Sequence, residues 1–329
     1  MKPLVSVICL CYNHEHFVKE ALDSVVAQSY RPLQMIIVED ASQDKSAQVI
    51  QAWLEQYQQN TSETSLTVTF IKHTTNQGIC QSFNEALQKA SGKYIIDFAT
   101  DDILLPTRIT QQVATFEALP ATYGVLFSNA RYINEQGHAL HTHYKVNDQQ
   151  QAIETVPQGE VYTAVLTRYF ICTPTMMIRK QVLEKLQGYD ETLHYEDFDF
   201  WVRSARHYQY YYLDEITTLR RLVKHSLSTQ FYQKKHNQLL EDTLKVCKKA
   251  YQLNQQPAED RALAKNLQYH LRQSFYMQCF PLVQAYYTFL QQERLKNYIT
   301  RTTRLIQFLG KLSIPTYRLY QFYRKIRGT

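Results

Sequence analysis

Over the first 130 residues, short apolar runs alternate with amphipathic stretches, and no other feature limits the possible folds as strongly. Strand-length apolar runs occupy residues 4–10, 35–38, 66–71, 94–98 and 124–128. Apolar residues recur with helical spacing in the stretches between them, over residues 17–26, 45–58, 79–90 and 106–119. Because parallel strands are usually joined through a helix, this order predicts an α/β fold with a mixed, mostly parallel sheet flanked by helices.

Beyond residue 130 the alternation loosens. We predict a hairpin turn at 134–137, a strand at 175–178, a helix at 180–186, a helix from Glu196, strands at 208–213 and 219–223, and only helices from about 230. The chain is therefore expected to have a main region over 1–229, with halves 1–130 and 131–229. A helical C-terminal region over 230–329 should follow it.

The positive charge is concentrated at the C-terminal end. Of the 36 Lys and Arg residues and 30 Asp and Glu residues, nine basic and one acidic residue lie in 293–329, a net charge of +8. The remaining 27 basic and 29 acidic residues give a net charge of −2. Nucleic-acid-binding proteins usually carry basic charge on the folded body, so we expect no nucleic-acid partner. A basic, aromatic tail instead favours an anionic membrane surface.

Cysteine content and apolar run lengths bear on location. The six cysteines form no Cys-x-x-Cys pair, which favours reduced thiols in the cytosol. No run approaches 18 apolar residues, and the first residues resemble no signal peptide, so we predict a cytoplasmic protein without a transmembrane helix. With 44% hydrophobic and 20% charged residues, the chain is not expected to be disordered.

Two common nucleotide-binding motifs are absent. The eight glycines include no Gly-x-Gly pair, and no Gly-Lys-Ser/Thr occurs. Carboxylates instead follow the predicted strands, with Asp40 after one and Asp101-Asp102 after another, at the sheet edge where open α/β folds bind ligands. A lone acid there is often only a helix cap. An adjacent pair repels itself unless a cation or hydrogen-bond donors stabilise it, and such hard oxygens suit Mg²⁺ or Mn²⁺.

A third acidic cluster, Glu196-Asp197-Phe198-Asp199, opens a predicted helix beside aromatic residues. Burial against the aromatic rings would raise the pKa of the Asp197 carboxyl and make it a better general base. Acids in the first turn of a helix also simply favour the helix dipole. Both interpretations stay open from this pattern alone.

An ordered series of motifs resembles glycosyltransferase family 2 over roughly residues 3–228. The matching segments are Val5-Ser6-Val7-Ile8, Tyr12-Asn13, Ser24-Val25, Gln28-Ser29-Tyr30, the stretch 37–44, Asn76-Gln77-Gly78, Asn84 and Gly92-Lys93-Tyr94-Ile95. The resemblance implies the GT-A fold of nucleotide-diphospho-sugar transferases, which is Rossmann-like, and a chemistry that is usually inverting. The main region would then hold a nucleotide-binding half (1–130) and an acceptor half (131–229), followed by a C-terminal helical extension.

The resemblance also assigns roles by position. Asp40 would bind the nucleobase, normally uracil, and Tyr12 would begin the nucleotide cleft. Asp101 would contact the ribose and, with Asp102, the metal ion on the diphosphate, and Asp197 would be the catalytic base.

The chain departs from the family pattern at two places. Ala99 replaces one carboxylate of the Asp-x-Asp-Asp form, although some relatives carry Thr-Asp-Asp. The family's Arg-x-His segment reads Arg221-Leu222-Val223 here, with His225 two residues later.

The expected function is a Mn²⁺- or Mg²⁺-dependent inverting transfer of a sugar, most simply from a UDP-sugar, to a saccharide or lipid-linked saccharide acceptor. The product would be a cell-surface polysaccharide or glycolipid. Two alternatives are a catalytically inactive nucleotide-sugar-binding module, suggested by Ala99, and a nucleotidyltransferase on a related sheet. The second would need a basic phosphate-binding loop near the first strand, where residues 11–14 offer none.

The segment 299–327 is expected to contact a membrane from the cytoplasmic side. An apolar stripe of Ile299, Leu305, Ile306, Leu309 and Leu312 runs beside Arg301, Arg304 and Lys311. This pattern is typical of a helix lying in the membrane interface. The alternative is a helix that packs back on the body or on a second copy of the chain.

Overall fold

Nine strands of the described residues form one mixed sheet. The computed structural model describes residues 2–60, 65–224, 227–313 and 317. The strands are β1 (Val5–Cys11), β2 (Leu33–Glu39), β3 (Leu66–Lys72), β4 (Tyr94–Ala99), β5 (Ile103–Leu104), β6 (Tyr123–Ile133), β7 (Ala139–Thr142), β8 (Met177–Arg179) and β9 (Gln209–Arg221). Their order in the sheet is β3-β2-β1-β4-β8-β6-β9-β5, and β7 pairs with β6.

The strands of the first 100 residues are parallel. β1 pairs with β2 on one side and β4 on the other, and β3 adds to β2 at the edge of the sheet. All seven residues of β1 are buried, as expected for a central parallel strand covered on both faces. The predicted apolar runs 4–10, 35–38, 66–71 and 94–98 are therefore confirmed as strands.

The second half of the sheet is mixed. The short strand β8 lies antiparallel between β4 and β6, whereas β6 pairs with β9 in parallel along its whole length. The predicted strands 208–213 and 219–223 are in fact one strand, β9, because pairing with β6 spans the polar residues between them. The predicted strand at 175–178 begins as a 3₁₀ turn at Thr173–Thr175, and β5 was not predicted because only two residues form it.

Helices follow the strands as the apolar spacing predicts. They are α1 (Val18–Val26), α2 (Ser46–Asn60), α3 (Ile79–Lys89), α4 (Arg108–Ala118), α5 (Tyr162–Thr167), α6 (Lys180–Leu186), α7 (Asp197–Ala205), α8 (Leu227–Gln230), α9 (Gln238–Leu253), α10 (Pro257–Tyr276), α11 (Phe280–Leu290) and α12 (Arg301–Lys311). The short helix α5 lies in a stretch that the sequence patterns left unassigned.

One apolar core joins the sheet to α1, α2 and α4. Val7, Ile37 and Ile96 from three adjacent strands are fully buried in it, together with Leu22 of α1 and Ile109 of α4. Each such side chain contributes about 1.5–3 kcal/mol on burial, so the core anchors the ends of β1, β2 and β4. All six cysteines are buried and unpaired, in agreement with the predicted free thiols.

The chain divides into two compact units. The first comprises Met1–Val161, Phe170–Phe200 and His207–Val223, and the second comprises Tyr162–Tyr169, Trp201–Arg206 and Lys224–Thr329. The boundary predicted at residue 229 and the functional halves 1–130 and 131–229 stay predictions.

Helices α9–α12 belong to the second unit. A capping box between Gln256 and Glu259 and a proline at the first position start α10, its longest helix. None of the helices in the described residues is apolar enough over sufficient length to span a bilayer.

Candidate active site

Tyr12 lies directly after β1 in a loop that is held by the segment following β2. Tyr12 is 40% exposed. Its neighbour Asn13 adopts a left-handed conformation with φ of 58°. The Asn13 N–H donates to Ser42 Oγ at 2.9 Å, and Asn13 Oδ1 accepts from the Gln43 N–H at 2.8 Å. The aromatic ring therefore sits on a braced backbone beside solvent, as stacking on a planar ligand requires.

Asp40 follows β2 and is nearly buried. Its backbone N–H donates to the carbonyl of Cys11 at 3.0 Å, which holds it next to the Tyr12 loop. Its carboxylate accepts from the N–H groups of Gln77 and Gly78 at 2.8 and 2.9 Å and lies 2.7 Å from Nδ1 of His73. Asp40 is thus a fixed acceptor, and His73, which the sequence patterns did not single out, helps to fix it.

The adjacent acids Asp101 and Asp102 lie in the turn after β4. Asp102 is 3% exposed, and its Oδ1 accepts from the Arg221 N–H at 2.7 Å. Burial and the neighbouring charge of Asp101 raise the pKa of the Asp102 carboxyl well above its ordinary value. Asp101 Oδ2 lies 4.0 Å from His14 Nε2. Because the negative charge of Asp101 opposes ionisation of Asp102, a positive charge beside the pair would be stabilising.

His14 links the loops after β1 and β4. Its Nδ1 lies 2.9 Å from Thr100 Oγ1, and its backbone N–H donates to Ser46 Oγ at 2.8 Å. The contacts join Tyr12 and Asp101 to one rigid edge of the sheet. A polar residue in an unassigned turn was the only sequence signal for it.

Four side-chain hydrogen bonds hold Arg221, which braces this edge. Its guanidinium donates to Glu20 Oε2 at 2.7 Å, to the carbonyl of Asp101 at 2.9 Å, and to the carbonyls of Asn134 and Glu135 at 3.2 Å. Because most of its donors are used by the protein, Arg221 holds the acidic turn in place.

The neighbouring Arg220 is placed differently. It donates to the Tyr132 hydroxyl at 3.2 Å. Its charge opposes the burial-driven rise in pKa of both Asp102 and Asp197, so it lies within electrostatic range of the two acidic positions. Two consecutive arginines near a strand end were the sequence signal, but the predictions used neither as a site residue.

Asp197 is the first residue of α7. The Phe198 N–H donates to its Oδ1 at 2.6 Å, and the Thr173 hydroxyl approaches its Oδ2 at 3.4 Å. Burial raises the pKa of this carboxyl to about 6, against the lowering effects of Phe198, Arg220 and Thr173. The predicted rise in pKa by burial is therefore confirmed, and part of the residue still faces solvent. A carboxylate of this kind accepts a proton near neutral pH.

A second layer of buried acids lies behind Asp197. Glu196 has a pKa raised well above its ordinary value by burial and by the charges of Asp197 and Asp97. Burial also raises the pKa of Asp97, on β4, to about 7, although the Tyr189 hydroxyl donates to it at 3.0 Å. Each added negative charge here favours protonation of the others.

The structure brings most of the sequence-predicted positions to one edge of the sheet. Tyr12 and Asp40 share the loops after β1 and β2, and Asp101 joins them through His14. Arg220 lies within electrostatic range of both Asp102 and Asp197. Ala99 ends β4 beside Leu10 of β1, and Val223 is half-buried. His225 lies outside the described residues.

The two carboxylates of the acidic turn could hold a divalent ion whose other ligands come from a phosphate group and water. Among the described residues no group of three His, Cys, Asp or Glu side chains forms a complete metal cage. Mg²⁺ is commonly bound by one or two carboxylates, with substrate phosphates and water supplying the remaining ligands. Asp101 and Asp102 could act as such a pair.

The sheet order, the flanking helices and the acidic strand ends define the GT-A class of nucleotide-diphospho-sugar transferase folds. Residues 6–187, more than half of the chain, match the model of "Glycosyl transferase family 2". The chain belongs to glycosyltransferase family 2.

Two relatives illustrate the similarity in sequence. An uncharacterized glycosyltransferase of Methanocaldococcus jannaschii is 31% identical over 216 residues, which cover 65% of this chain and 69% of that protein. The putative glycosyltransferase EpsE of Bacillus subtilis is 28% identical over 204 residues, which cover 61% and 66%. The chain thus matches about two thirds of the length of these relatives.

Solved structures show the same fold at lower identity. S. aureus TarS 1–349 in complex with UDP-GlcNAc superposes with a TM-score of 0.71 at 18% identity, covering 99% of this chain and 92% of that one. The mannosyltransferase PcManGT of Pyrobaculum calidifontis, in complex with GDP-Man and Mn²⁺, gives 0.55 at 15% identity over 95% and 87%.

Proposed function

We propose that this protein is an inverting glycosyltransferase that moves a sugar from a nucleotide diphosphate, most simply a UDP-sugar, to a saccharide or glycolipid acceptor in cell-surface polysaccharide synthesis. This proposal is based on the position of Asp197, whose pKa is raised to about 6 by burial. Arg220 lies within electrostatic range of both Asp197 and Asp102, so the proposed base and the acidic turn have a cation in common. One base and one region of positive charge suffice for a single displacement.

The reaction balances with these groups. The acceptor hydroxyl oxygen forms a bond to the anomeric carbon while the bond from that carbon to the diphosphate oxygen breaks. The electron pair leaves with the nucleotide diphosphate, and the hydroxyl proton goes to Asp197. Because attack and departure occur on opposite faces, the anomeric centre inverts.

The leaving diphosphate is proposed to lie between Arg220 and the acidic turn. Asp101 and Asp102 would hold Mn²⁺ or Mg²⁺, which supplies positive charge to the diphosphate when bound. Arg220 adds a permanent cation close to the same position. Asp101 would also contact the ribose.

The nucleoside is proposed to bind between Tyr12 and Asp40. A carboxylate accepts from a base that carries a ring N–H, a property of uracil and guanine but not of cytosine or adenine. The ligands of two solved structures with this fold, UDP-GlcNAc and GDP-Man, belong to that set.

Nucleotide release tests the proposal. Purified protein with Mn²⁺ is incubated with a panel of UDP- and GDP-sugars, and free UDP or GDP is measured with and without saccharide acceptors. Release from one donor, stimulated by an acceptor, is the expected result. Nucleotide binding without any release would indicate the inactive binding module instead, and nucleotide transfer to a sugar phosphate would indicate a nucleotidyltransferase.

Metal dependence is the first prediction. UDP binding measured by calorimetry should be strong with Mn²⁺ and at least about tenfold weaker with excess chelator, because the diphosphate would then lie beside the acidic turn without the positive charge of the metal. Asp102→Asn keeps an oxygen for the Arg221 N–H and should behave like the chelated protein. The exposed Asp148→Asn is the matched control and should bind like wild type. Equal affinity with metal and with chelator would contradict the metal role.

The acceptor is proposed to be lipid-linked, with the protein held at the membrane surface by α12. One face of α12 packs within the second unit, where Thr303 donates to Gln268 at 2.7 Å and Gly310 lies against Val283. The opposite face exposes Leu305, Phe308 and Leu312 to 56–58%, flanked by exposed Arg301, Arg304 and Lys311.

This exposed stripe differs from the predicted one. Ile306 and Leu309 are half-buried, and Phe308, absent from the predicted stripe, is exposed. Residues 314–316 and 318–327 of the predicted tail lie outside the described residues. An apolar row bordered by cations suits an anionic lipid surface. A second copy of the chain is the competing occupant.

A further inference from the structure

A buried imidazole lies between two carboxylates behind the proposed nucleobase site. His73 follows β3, and its side chain is only 8% exposed. Its Nδ1 is 2.7 Å from Asp40 Oδ1, and its Nε2 is 2.9 Å from Oε2 of Glu85 on α3. A carboxylate only accepts hydrogen bonds, so a ring that donates to both acids carries a proton on each nitrogen. The geometry therefore describes an imidazolium that donates to both acids.

The hydrogen bonds of Asp40 leave one acceptor position open. A carboxylate offers about four lone-pair positions. Gln77 N–H and His73 occupy two on Oδ1, and Gly78 N–H occupies one on Oδ2. A ligand N–H is then expected at the remaining position on Oδ2, and the other three bonds fix its direction.

We propose that His73 is a positioning residue that holds Asp40 as a fixed hydrogen-bond acceptor, and that the site thereby selects nucleotides whose base carries a ring N–H over cytidine and adenosine nucleotides. This inference rests on the proposed function of the site. Cytosine N3 and adenine N1 present a lone pair where uracil and guanine present a proton, and a lone pair facing a carboxylate is repelled.

The charged groups around His73 give the site a pH dependence. Hydrogen bonds and charges from Asp40 and Glu85 raise the pKa of His73 above its ordinary 6.5, although burial alone would lower it. On β2, Glu39 turns its carbonyl to the His73 N–H at 2.9 Å and its carboxylate to the Ser42 N–H. Lys72, the last residue of β3, precedes His73. The imidazolium is present below the raised pKa and is lost as pH increases through it.

Two variants separate positioning from a structural role. His73→Gln removes the cation and should weaken UDP binding by about tenfold or more while reducing the preference for UDP over CDP. Glu85→Gln keeps an oxygen for Nε2–H but removes one negative charge, so His73 should lose its proton at lower pH. Glu85 is 44% exposed in its side chain, so this variant tests the idea even where His73→Gln fails to fold.

The experiment measures the binding of UDP, GDP, CDP and ADP between pH 6 and 9, together with the His73 titration by NMR. In wild type, UDP affinity should fall as His73 loses its proton, and in Glu85→Gln both midpoints should move together to lower pH. His16→Gln, at an exposed imidazole, is the matched control and should change neither.

Three outcomes would overturn the inference. The first is a folded His73→Gln variant that keeps the UDP affinity and the UDP-over-CDP preference of wild type; this result would leave the proposed function intact. The second is a binding midpoint that stays in place when the His73 midpoint shifts. Failure of folded wild type to bind any of the four diphosphates would overturn the proposed function itself and the inference with it.

Discussion

At the scale of single residues, the candidate site uses environment to give chemically similar carboxyls different properties. Asp40 is fixed by three donors, whereas the pKa of Asp197 is raised to about 6 by burial. The buried acids Glu196 and Asp97 hold their protons more tightly still. Different environments of this kind divide acid, base and binding roles among identical groups.

Replacing the proposed base tests its role directly. Asp197→Asn keeps the size of the side chain and an acceptor for the Phe198 N–H but cannot take a proton. Turnover should fall by roughly 10²-fold or more, with donor affinity nearly unchanged. The measurement is kcat and KM for nucleotide release, with Asp148→Asn as the control. Near-wild-type turnover in Asp197→Asn would transfer the role to another acid, such as Glu196 or Asp199.

The charge of Arg220 should set the acidic limb of the pH profile. In wild type, kcat/KM should rise with pH through about 6, because Asp197 acts only when deprotonated. Arg220 lowers the pKa of Asp197, so Arg220→Gln should move this limb to higher pH and also weaken donor binding. Arg131→Gln, a cation of β6 that pairs with Gln150, is the control. An unchanged midpoint in Arg220→Gln would show that the two groups are not coupled in solution.

At the scale of elements, strand β9 and helix α12 each combine two roles that a local sequence pattern cannot distinguish. β9 brings both Arg220, near the proposed chemistry, and Arg221, which braces the acidic turn. The two faces of α12 differ in residue size. Thr303 faces α10 and Gly310 faces α11, whereas the larger apolar residues of the helix face outward. A small inner residue permits close helix packing and leaves the bulky side chains exposed.

The outer face of α12 can be tested with vesicles. The full chain with Leu305→Gln and Phe308→Gln should lose most co-sedimentation with anionic vesicles, because about half of each exposed apolar side chain would no longer enter the interface. Wild-type binding should be absent with neutral vesicles and weaken as salt is raised.

Leu140→Gln, at an exposed leucine of β7, is the matched control and should bind like wild type. Sedimentation velocity gives the competing result. Loss of a dimer in the Leu305 and Phe308 variant, with vesicle binding retained, would assign the face to a second copy of the chain.

At the scale of the whole molecule, one buried group in each unit makes stability depend on pH, and the two groups act in opposite directions. In the first, the pKa of Asp97 is raised to about 7, so its contribution to stability is present at low pH and lost as pH rises through about 7. In the second, burial lowers the pKa of His270 to about 4. The unfolded chain binds this proton from about pH 6.5 downward, so the second unit should lose stability as pH falls towards 4.

The chain allows the second unit to be followed alone. Its two tryptophans lie one in each unit, Trp53 in the first and Trp201 in the second, so in Trp53→Phe the tryptophan emission comes from the second unit alone. In that background, the free energy of unfolding in urea should fall by roughly 3 kcal/mol from pH 7 to pH 4 through His270. His270→Gln should flatten this dependence, whereas the exposed His236→Gln should retain it. An equally steep dependence in His270→Gln would contradict the assignment.

Much of the fold was predictable because it depends on local sequence patterns. The apolar runs and helical spacings identified β1–β4 and α1–α4 to within about two residues, since period and burial are properties of neighbouring residues. The same patterns placed Asp40, Asp101 and Asp102 at strand ends, and the ends of parallel strands meet at one edge. Strand β9 was predicted as two pieces because its stability comes from pairing with β6, about 90 residues away.

The sequence by itself determined the alternation of strands and helices, the family and the acids that line the sheet edge. Only the tertiary structure decided which other groups reach those acids. His73 meets Asp40 across 33 residues, and Arg221 meets Asp102 across 119. No periodicity links residues so far apart, because such contacts arise from the order in which the strands pair. The charge states of Asp197 and His73 were decided in the same way, since burial and neighbouring charges set a pKa only when the chain is folded.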